Sequence, residues 1–185
     1  GHSPDLVSAL GDSLSELVAL NETRIVAGLY ARVPETVLIL LLVGDAYQVE
    51  YVASVTSRTM PAYLKVTALW GGQPGSLVFW SWLMAAFASA ASLRRWDRDR
   101  ELLPWVIFVA MITLAFFVGL VLFFENPFLR LWQTLGGAQV TAIFQPSGTI
   151  PLVPPDGRGL NPLLRHPGMV IHPPIMFIGY ALSAV

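Results

Sequence analysis

From Leu102 to Phe124 the chain carries no charged residue: Leu-Leu-Pro-Trp-Val-Ile-Phe-Val-Ala-Met-Ile-Thr-Leu-Ala-Phe-Phe-Val-Gly-Leu-Val-Leu-Phe-Phe. As a helix, this stretch is long enough to cross the roughly 30 Å hydrocarbon core of a bilayer. A second uncharged run, Gly75 to Leu93, is slightly shorter, and the residues between the two, Arg94 to Glu101, are almost all charged. Two apolar runs joined by a short charged loop predict a transmembrane hairpin. Composition agrees, with 55% hydrophobic and 12% charged residues, well to the apolar side of an ordinary soluble domain. The formal net charge of -1 says little about partners, because the charges are confined to loops. There is no cysteine, which excludes disulfides, thiolate metal sites and thiol nucleophiles. Any redox or metal chemistry must come from histidine, carboxylate or a bound cofactor.

Orientation follows from the cations. Arg94, Arg95, Arg98 and Arg100 crowd the short loop, whereas Arg58 and Lys65 before it and Arg130, Arg158 and Arg165 after it are scattered. The positive-inside rule then places residues 94–101 in the cytoplasm and both longer loops outside. The cluster is read as a topology anchor, and no basic groove for nucleic acid is present.

The resulting organisation has seven parts. Residues 1–46 form an amino-terminal region, with an amphipathic helix predicted from Leu6, Leu10, Leu14, Leu17 and Val18 after Ser3-Pro4. A weak or interrupted span follows at Val37 to Gly44, bounded by Glu35 and Asp45. Residues 47–74 form an external loop, 75–93 a transmembrane helix, 94–101 the cytoplasmic loop, 102–124 a transmembrane helix and 125–168 a second external loop. Residues 169–185 begin a further transmembrane segment. That last segment is apolar up to Val185, which points to a fragment of a longer polytopic protein. The expected fold is all-α: a polytopic transmembrane helical protein in a lipid bilayer, with a long Pro/Gly-rich external loop.

That loop contains Gln145-Pro146-Ser147-Gly148, Pro151, Pro154-Pro155-Asp156-Gly157-Arg158-Gly159 and Asn161-Pro162, a density of turn residues that rules out one continuous helix. Any helix in it is expected between Phe128 and Leu135. Its apolar residues, among them Phe128, Leu131, Trp132, Phe144, Leu163 and Leu164, are expected to pack against something.

His172 is the most chemically interesting side chain. It stands in Met169-Val170-Ile171-His172-Pro173-Pro174 at the mouth of an apolar segment, where a neutral imidazole offers a nitrogen to a metal or haem iron. The proline pair is expected to start a helix and hold the ring at the membrane boundary. The plainer alternative is a boundary histidine bonded to a loop carbonyl. His166, in Arg165-His166-Pro167-Gly168, reads as a solvent-exposed loop histidine. Trp70, Trp80 and Trp82 flank the turn Gly71-Gly72-Gln73-Pro74-Gly75 and are expected to act as interfacial anchors, with stacking on a flat macrocycle as the alternative. No phosphate loop, nucleophile elbow or catalytic carboxylate pair is visible.

Several motifs in order resemble one family. They are Tyr51-Val52-Ala53-Ser54, Pro61, Ala68-Leu69-Trp70-Gly71-Gly72-Gln73, Gly75-Ser76-Leu77, Phe79-Trp80 and Asn126-Pro127-Phe128. Asp156-Gly157-Arg158-Gly159-Leu160-Asn161-Pro162-Leu163-Leu164, His166-Pro167-Gly168, Ile171-His172-Pro173-Pro174 and Gly179-Tyr180 follow. From about Tyr47 onward the chain resembles the CcmF family, the haem lyase component of bacterial cytochrome c maturation in the haem-handling membrane protein superfamily. Pro74 departs from it, standing where the family usually has an acidic residue.

The resemblance implies a multi-pass protein of the bacterial inner (plasma) membrane with its functional loops on the external, periplasmic side. It implies haem as cofactor, with His172 as an axial ligand to the haem iron. It also implies three kinds of partner: a haem chaperone, apocytochrome c and other cytochrome c maturation membrane subunits. Haem lyase (cytochrome c synthase) activity would then belong to a larger protein or complex. The alternatives are a transporter or channel subunit, with His172 gating or relaying protons, and a structural membrane subunit that docks a partner.

Overall fold

A computed structural model describes residues 34–92 and 101–183 of the chain. The amphipathic helix expected at Leu6 to Val18 and the arginines of the short loop lie outside these residues. The described part includes six α-helices and a small sheet: α1 (Pro34–Val43), α2 (Glu50–Val55), α3 (Ala62–Thr67), α4 (Gln73–Ser92), α5 (Leu103–Phe123) and α6 (Pro167–Ser183), with β1 (Arg130–Thr134), β2 (Gln139–Ala142) and β3 (Thr149–Pro151) between α5 and α6. Among the described residues one helix, over Pro104–Phe123, is long and apolar enough to cross a membrane.

Helices α4 and α5 occupy the two uncharged runs, and α4 packs against both α5 and α6. Their shared core is Leu83, Met84 and Ala181, with Phe79, Trp80, Phe87, Leu114 and Phe177 around it. Trp80 sits 4.6 Å from the ring of Phe117, 5.4 Å from Phe177 and 5.9 Å from Tyr180, measured between centroids. Trp82 stacks on Phe79 at 6.0 Å. Both tryptophans therefore pack against neighbouring rings, Trp80 across to α5 and α6 and Trp82 within α4.

A second core lies at the end of this bundle. It gathers Leu38 and Leu42 of α1, Tyr47, Val49, Tyr51, Val52, Met60, Leu64, Leu69 and, from far along the chain, Leu160. Helix α1 closes with the Ala46 amide on the Leu41 carbonyl at 3.1 Å and Asp45 at φ 56°, the left-handed residue of a Schellman ending. The buried Tyr51 hydroxyl donates to the carbonyls of Ala68 (2.8 Å) and Leu69 (3.1 Å). It also explains a glycine in the first turn of α4: a Cβ on Gly75 would run into the Tyr51 hydroxyl and the Leu69 carbonyl.

The all-α expectation is corrected by the sheet. It is three-stranded and antiparallel in the order β2-β1-β3, with Trp132 opposite Val140 on one side and Pro151 on the other. Phe128 to Leu135, expected to hold any helix in the loop, instead contains β1. The reason is local: Arg130-Leu131-Trp132-Gln133-Thr134 buries Trp132 at its centre, and the chain then reverses at Gly136-Gly137, with Gly137 at φ 84°. The hairpin is fastened to the second core by the Glu50 amide on the Leu129 carbonyl and the Leu131 amide on the Gln48 carbonyl, both at 2.9 Å. Between Gln145 and Asn161 the chain is non-helical, as its proline and glycine content requires.

Candidate functional site

The segment Asp156-Gly157-Arg158-Gly159-Leu160 lies across the carboxy-terminal end of α2. The last carbonyls of a helix lack partners from within it, and here two chain amides supply them: Arg158 to Ala53 at 2.8 Å and Gly159 to Thr56 at 3.0 Å. Gly157 is required by the approach, because a Cβ there would collide with the Thr56 carbonyl and lie 2.9 Å from that of Ala53. Asp156 Oδ1 accepts from the amides of Arg58 (2.9 Å) and Gly157 (2.7 Å), and these bonds hold its carboxyl below the ordinary carboxylate value. Leu160 is then buried, with its amide 3.5 Å from Met60 Sδ. The glycine-rich motif is thus a clamp, and the chain leaving it is aimed into α6.

The clamp continues into a one-turn 3-10 helix, Pro162–Arg165, capped by Asn161 Oδ1 accepting from the Leu163 amide at 3.0 Å. Arg165 Nε donates back to the Leu160 carbonyl at 3.1 Å. Helix α6 then starts at Pro167, five residues before His172 and not at the Pro173-Pro174 pair. His166 caps it: its carbonyl accepts from Met169 (2.8 Å) and Val170 (3.0 Å), and its Nδ1 accepts from the Gly168 amide at 3.2 Å. Proline suits a first helical position because its missing N–H would have no partner there, which makes Pro167 the natural start. Pro173 and Pro174 lie inside the helix and offer no amide to the carbonyls of Met169 and Val170.

His172 is exposed and makes no hydrogen bond or ion pair with another described residue. Val170, Phe177 and Ala181 give the packed face of α6. His172 follows Val170 by two residues, roughly 200° around the helix, and so faces away from α4 and α5. Ile175, Met176 and Gly179 share that exposed side. His166 and His172 are not gathered with a third ligand: among the described residues no group of three His, Asp or Glu side chains could hold a metal ion.

Asp45 and Lys65 form a pair that sequence reading missed. Lys65 Nζ contacts both Asp45 carboxylate oxygens at 2.6 Å, and the Tyr47 hydroxyl donates to Asp45 Oδ1 at 2.9 Å. Burial pushes the Asp45 carboxyl up, but the hydrogen bonds from Lys65 and Tyr47 and the charges of Lys65 and Arg58 outweigh it and hold it below the ordinary value. Lys65 is therefore neutralised in place. A cavity of about 460 Å³ lies along α5, lined by residues such as Val78, Met111, Leu114, Val118 and Val121, and it contains no titratable group.

Residues 70–185 match the family described as Cytochrome C assembly protein. Among curated proteins, the chain is 33% identical over 141 residues to the cytochrome c-type biogenesis protein CcmF of Haemophilus influenzae, covering 76% of this chain and 19% of that protein. It is 31% identical over 144 residues to CcmF of Escherichia coli (strain K12), covering 78% and 20%. It is 29% identical over 141 residues to the cytochrome c-type biogenesis protein NrfE of Haemophilus influenzae, covering 76% and 19%. The chain spans about a fifth of the length of these relatives. No solved structure matches it. The matched stretch covers the clamp, both histidines and α4 to α6, and on that match the chain belongs to the cytochrome C assembly protein family.

Proposed function

We propose that this chain is a membrane-embedded, CcmF-like segment of a cytochrome c maturation protein that holds haem on the outer face of the bacterial inner membrane. Helix α5 supports the membrane setting: it is apolar all round yet leaves Trp105, Phe108, Ile112 and Phe116 exposed, and a helix of that kind belongs in lipid when protein does not cover it. The apolar part of α4 forms the second span, and α6 begins a third. The clamp and the sheet lie outside, with residues 94–101 in the cytoplasm.

His172 supplies the axial ligand to the haem iron. The observation that carries this reading is its unpartnered imidazole on an outward face of α6, beside the apolar Ile171, Ile175 and Met176. Those residues fit haem, since an imidazole free to ligate and an apolar surface for the macrocycle are what the group needs. Bound haem supplies the redox chemistry. The chain's residues orient it: the clamp fixes the start of α6, and α6 presents the ring nitrogen. In this reading haem arrives from a haem chaperone and is attached to apocytochrome c thiols, with other maturation subunits completing the lyase.

An absorbance titration tests the assignment. The purified chain in lipid nanodiscs should develop a ligated haem spectrum on adding haem, and His172→Ala should lose it while His166→Ala retains it. An unchanged spectrum in His172→Ala would remove His172 from the site.

A further inference from the structure

The two edges of the sheet are built differently. In the order β2-β1-β3 both outer strands are edges, and an edge strand is a template for another chain unless proline, charge or a side chain blocks it. The β3 edge is blocked. Ile150 pairs with Gln133, so Thr149 and Pro151 face outward; Pro151 has no amide to give, and the Thr149 carbonyl already accepts from Gln145 Nε2 at 2.7 Å. The β2 edge is open. The Thr134 amide on the Ala138 carbonyl sets the ladder, and Leu131, opposite Thr141, has its amide on Gln48 and its carbonyl on Leu152, both on the far side. The amides and carbonyls of Gln139 and Thr141 therefore point away from β1, and among the described residues nothing bonds to them. Both residues are exposed. From Gln139 to Phe144 the chain holds no charge and no proline, and it runs on into Ile143 and Phe144, which are 47% and 83% exposed.

We propose that the β2 edge takes an extended segment of unfolded polypeptide as a fourth strand, and, resting on the haem reading above, that this polypeptide is the haem acceptor. The chemistry of the occupant follows from what the edge offers. Gln139 and Thr141 each present a donor and an acceptor, about 7 Å apart, which is the repeat of an extended chain. A helix satisfies its own amides and a folded partner has few strands to spare, so the edge selects an open chain. Without a charged side chain it requires no charged sequence, and Ile143 and Phe144 beside it receive apolar side chains. An acceptor whose thiols must be reached before it folds around haem is such a chain. The edge is also held in place, because the hairpin is fastened beside α2 by the Glu50 and Leu131 amides.

The test follows amide exchange in the purified chain in lipid nanodiscs, with haem-free, unfolded cytochrome c or folded holocytochrome c as the probe. The unfolded form should slow exchange at Gln139 and Thr141 about tenfold, and the folded form should not. Thr141→Pro gives this edge the protection that Pro151 gives the other. It should abolish the slowing at Gln139 while keeping the parental melting midpoint and haem spectrum. Thr141→Lys, which keeps the amide and only charges the edge, should give the same loss and covers the case in which proline unsettles the hairpin. No slowing, equal slowing by the folded form, or slowing that survives both substitutions would overturn the docking edge. So would slowing in the chain alone that grows with its concentration, the mark of a second copy on the edge, or that follows lipid content, the mark of insertion into the membrane surface. A parent that shows the slowing but binds no haem would overturn the haem reading and leave the strand addition standing.

Discussion

Replacing Gly157 by alanine adds one methyl group at the tightest point of the clamp. Its Cβ would overlap the Thr56 carbonyl and lie 2.9 Å from the Ala53 carbonyl and 3.0 Å from Tyr47 Cε1. Two of these neighbours are backbone at the end of α2, so the loop must lift. Lifting forfeits the Arg158 bond to Ala53 and the Gly159 bond to Thr56, each worth about 1 kcal/mol net. Residual overpacking adds about 2 kcal/mol. The sum is about 4 kcal/mol, a fall of about 10 °C in melting midpoint for a chain of this size. Gly119→Ala is the control: nothing lies within 4 Å of its Cβ position in α5, so the better helix former should leave the chain as stable or up to about 1 kcal/mol more so. Tryptophan fluorescence melts in detergent give the midpoints, and amide exchange at Arg158 and Gly159 reports the clamp directly. If Gly157→Ala melts within about 2 °C of the parent and both amides stay protected, the clamp is not held as described.

Two further predictions concern charge. Asp45→Asn keeps a residue that tolerates the left-handed backbone but strands the Lys65 ammonium, whose side chain is 8% exposed; the cost should be about 2 kcal/mol, below that of a fully buried pair because the Asp45 side chain is 28% exposed. Adding Lys65→Met should recover part of it in a double-mutant cycle. Because the folded Asp45 carboxyl sits below its ordinary value of 3.8, its contribution is present above that pH and is lost as pH falls through the lower folded value, which acid melts of parent and Asp45→Asn will show as converging stabilities. For topology, the cysteine-free chain allows single labels: Ser147→Cys should react with an impermeant thiol reagent applied from outside, and Arg98→Cys should not. Labelling in the opposite sense would invert the orientation.

Helices were legible where one signal dominated. The uncharged runs gave α4 and α5 nearly to their ends, since in such stretches an unpaired backbone has no alternative to the helix. The sheet was hidden because β1 is short and its alternation is broken by the polar Gln133 and Thr134; the Gly136-Gly137 turn between alternating stretches was the available sign. The start of α6 was misjudged because a Pro-Pro pair is a strong local marker, while the capping at His166 depends on how Gly168 folds back. Sequence singled out His172 and the glycine-rich motif. It could not show that the motif docks on α2, since that contact joins residues about a hundred positions apart. Nor could it show that Trp80 is spent on Phe117, Phe177 and Tyr180.

The central claim is that His172 acts as a ligand and not as a structural residue, and covalent cytochrome c formation reads it most directly. In cells that depend on this protein for maturation, His172→Ala should accumulate to the parental level, because the side chain is exposed and makes no hydrogen bond or ion pair with another described residue. Cytochrome c bearing covalent haem should nevertheless be lost or strongly reduced, and added imidazole should restore part of it by filling the vacated position. His166→Ala, which removes only a capping acceptor, should have a milder effect. Normal accumulation of His172→Ala together with an undiminished yield of covalent cytochrome c would contradict the account.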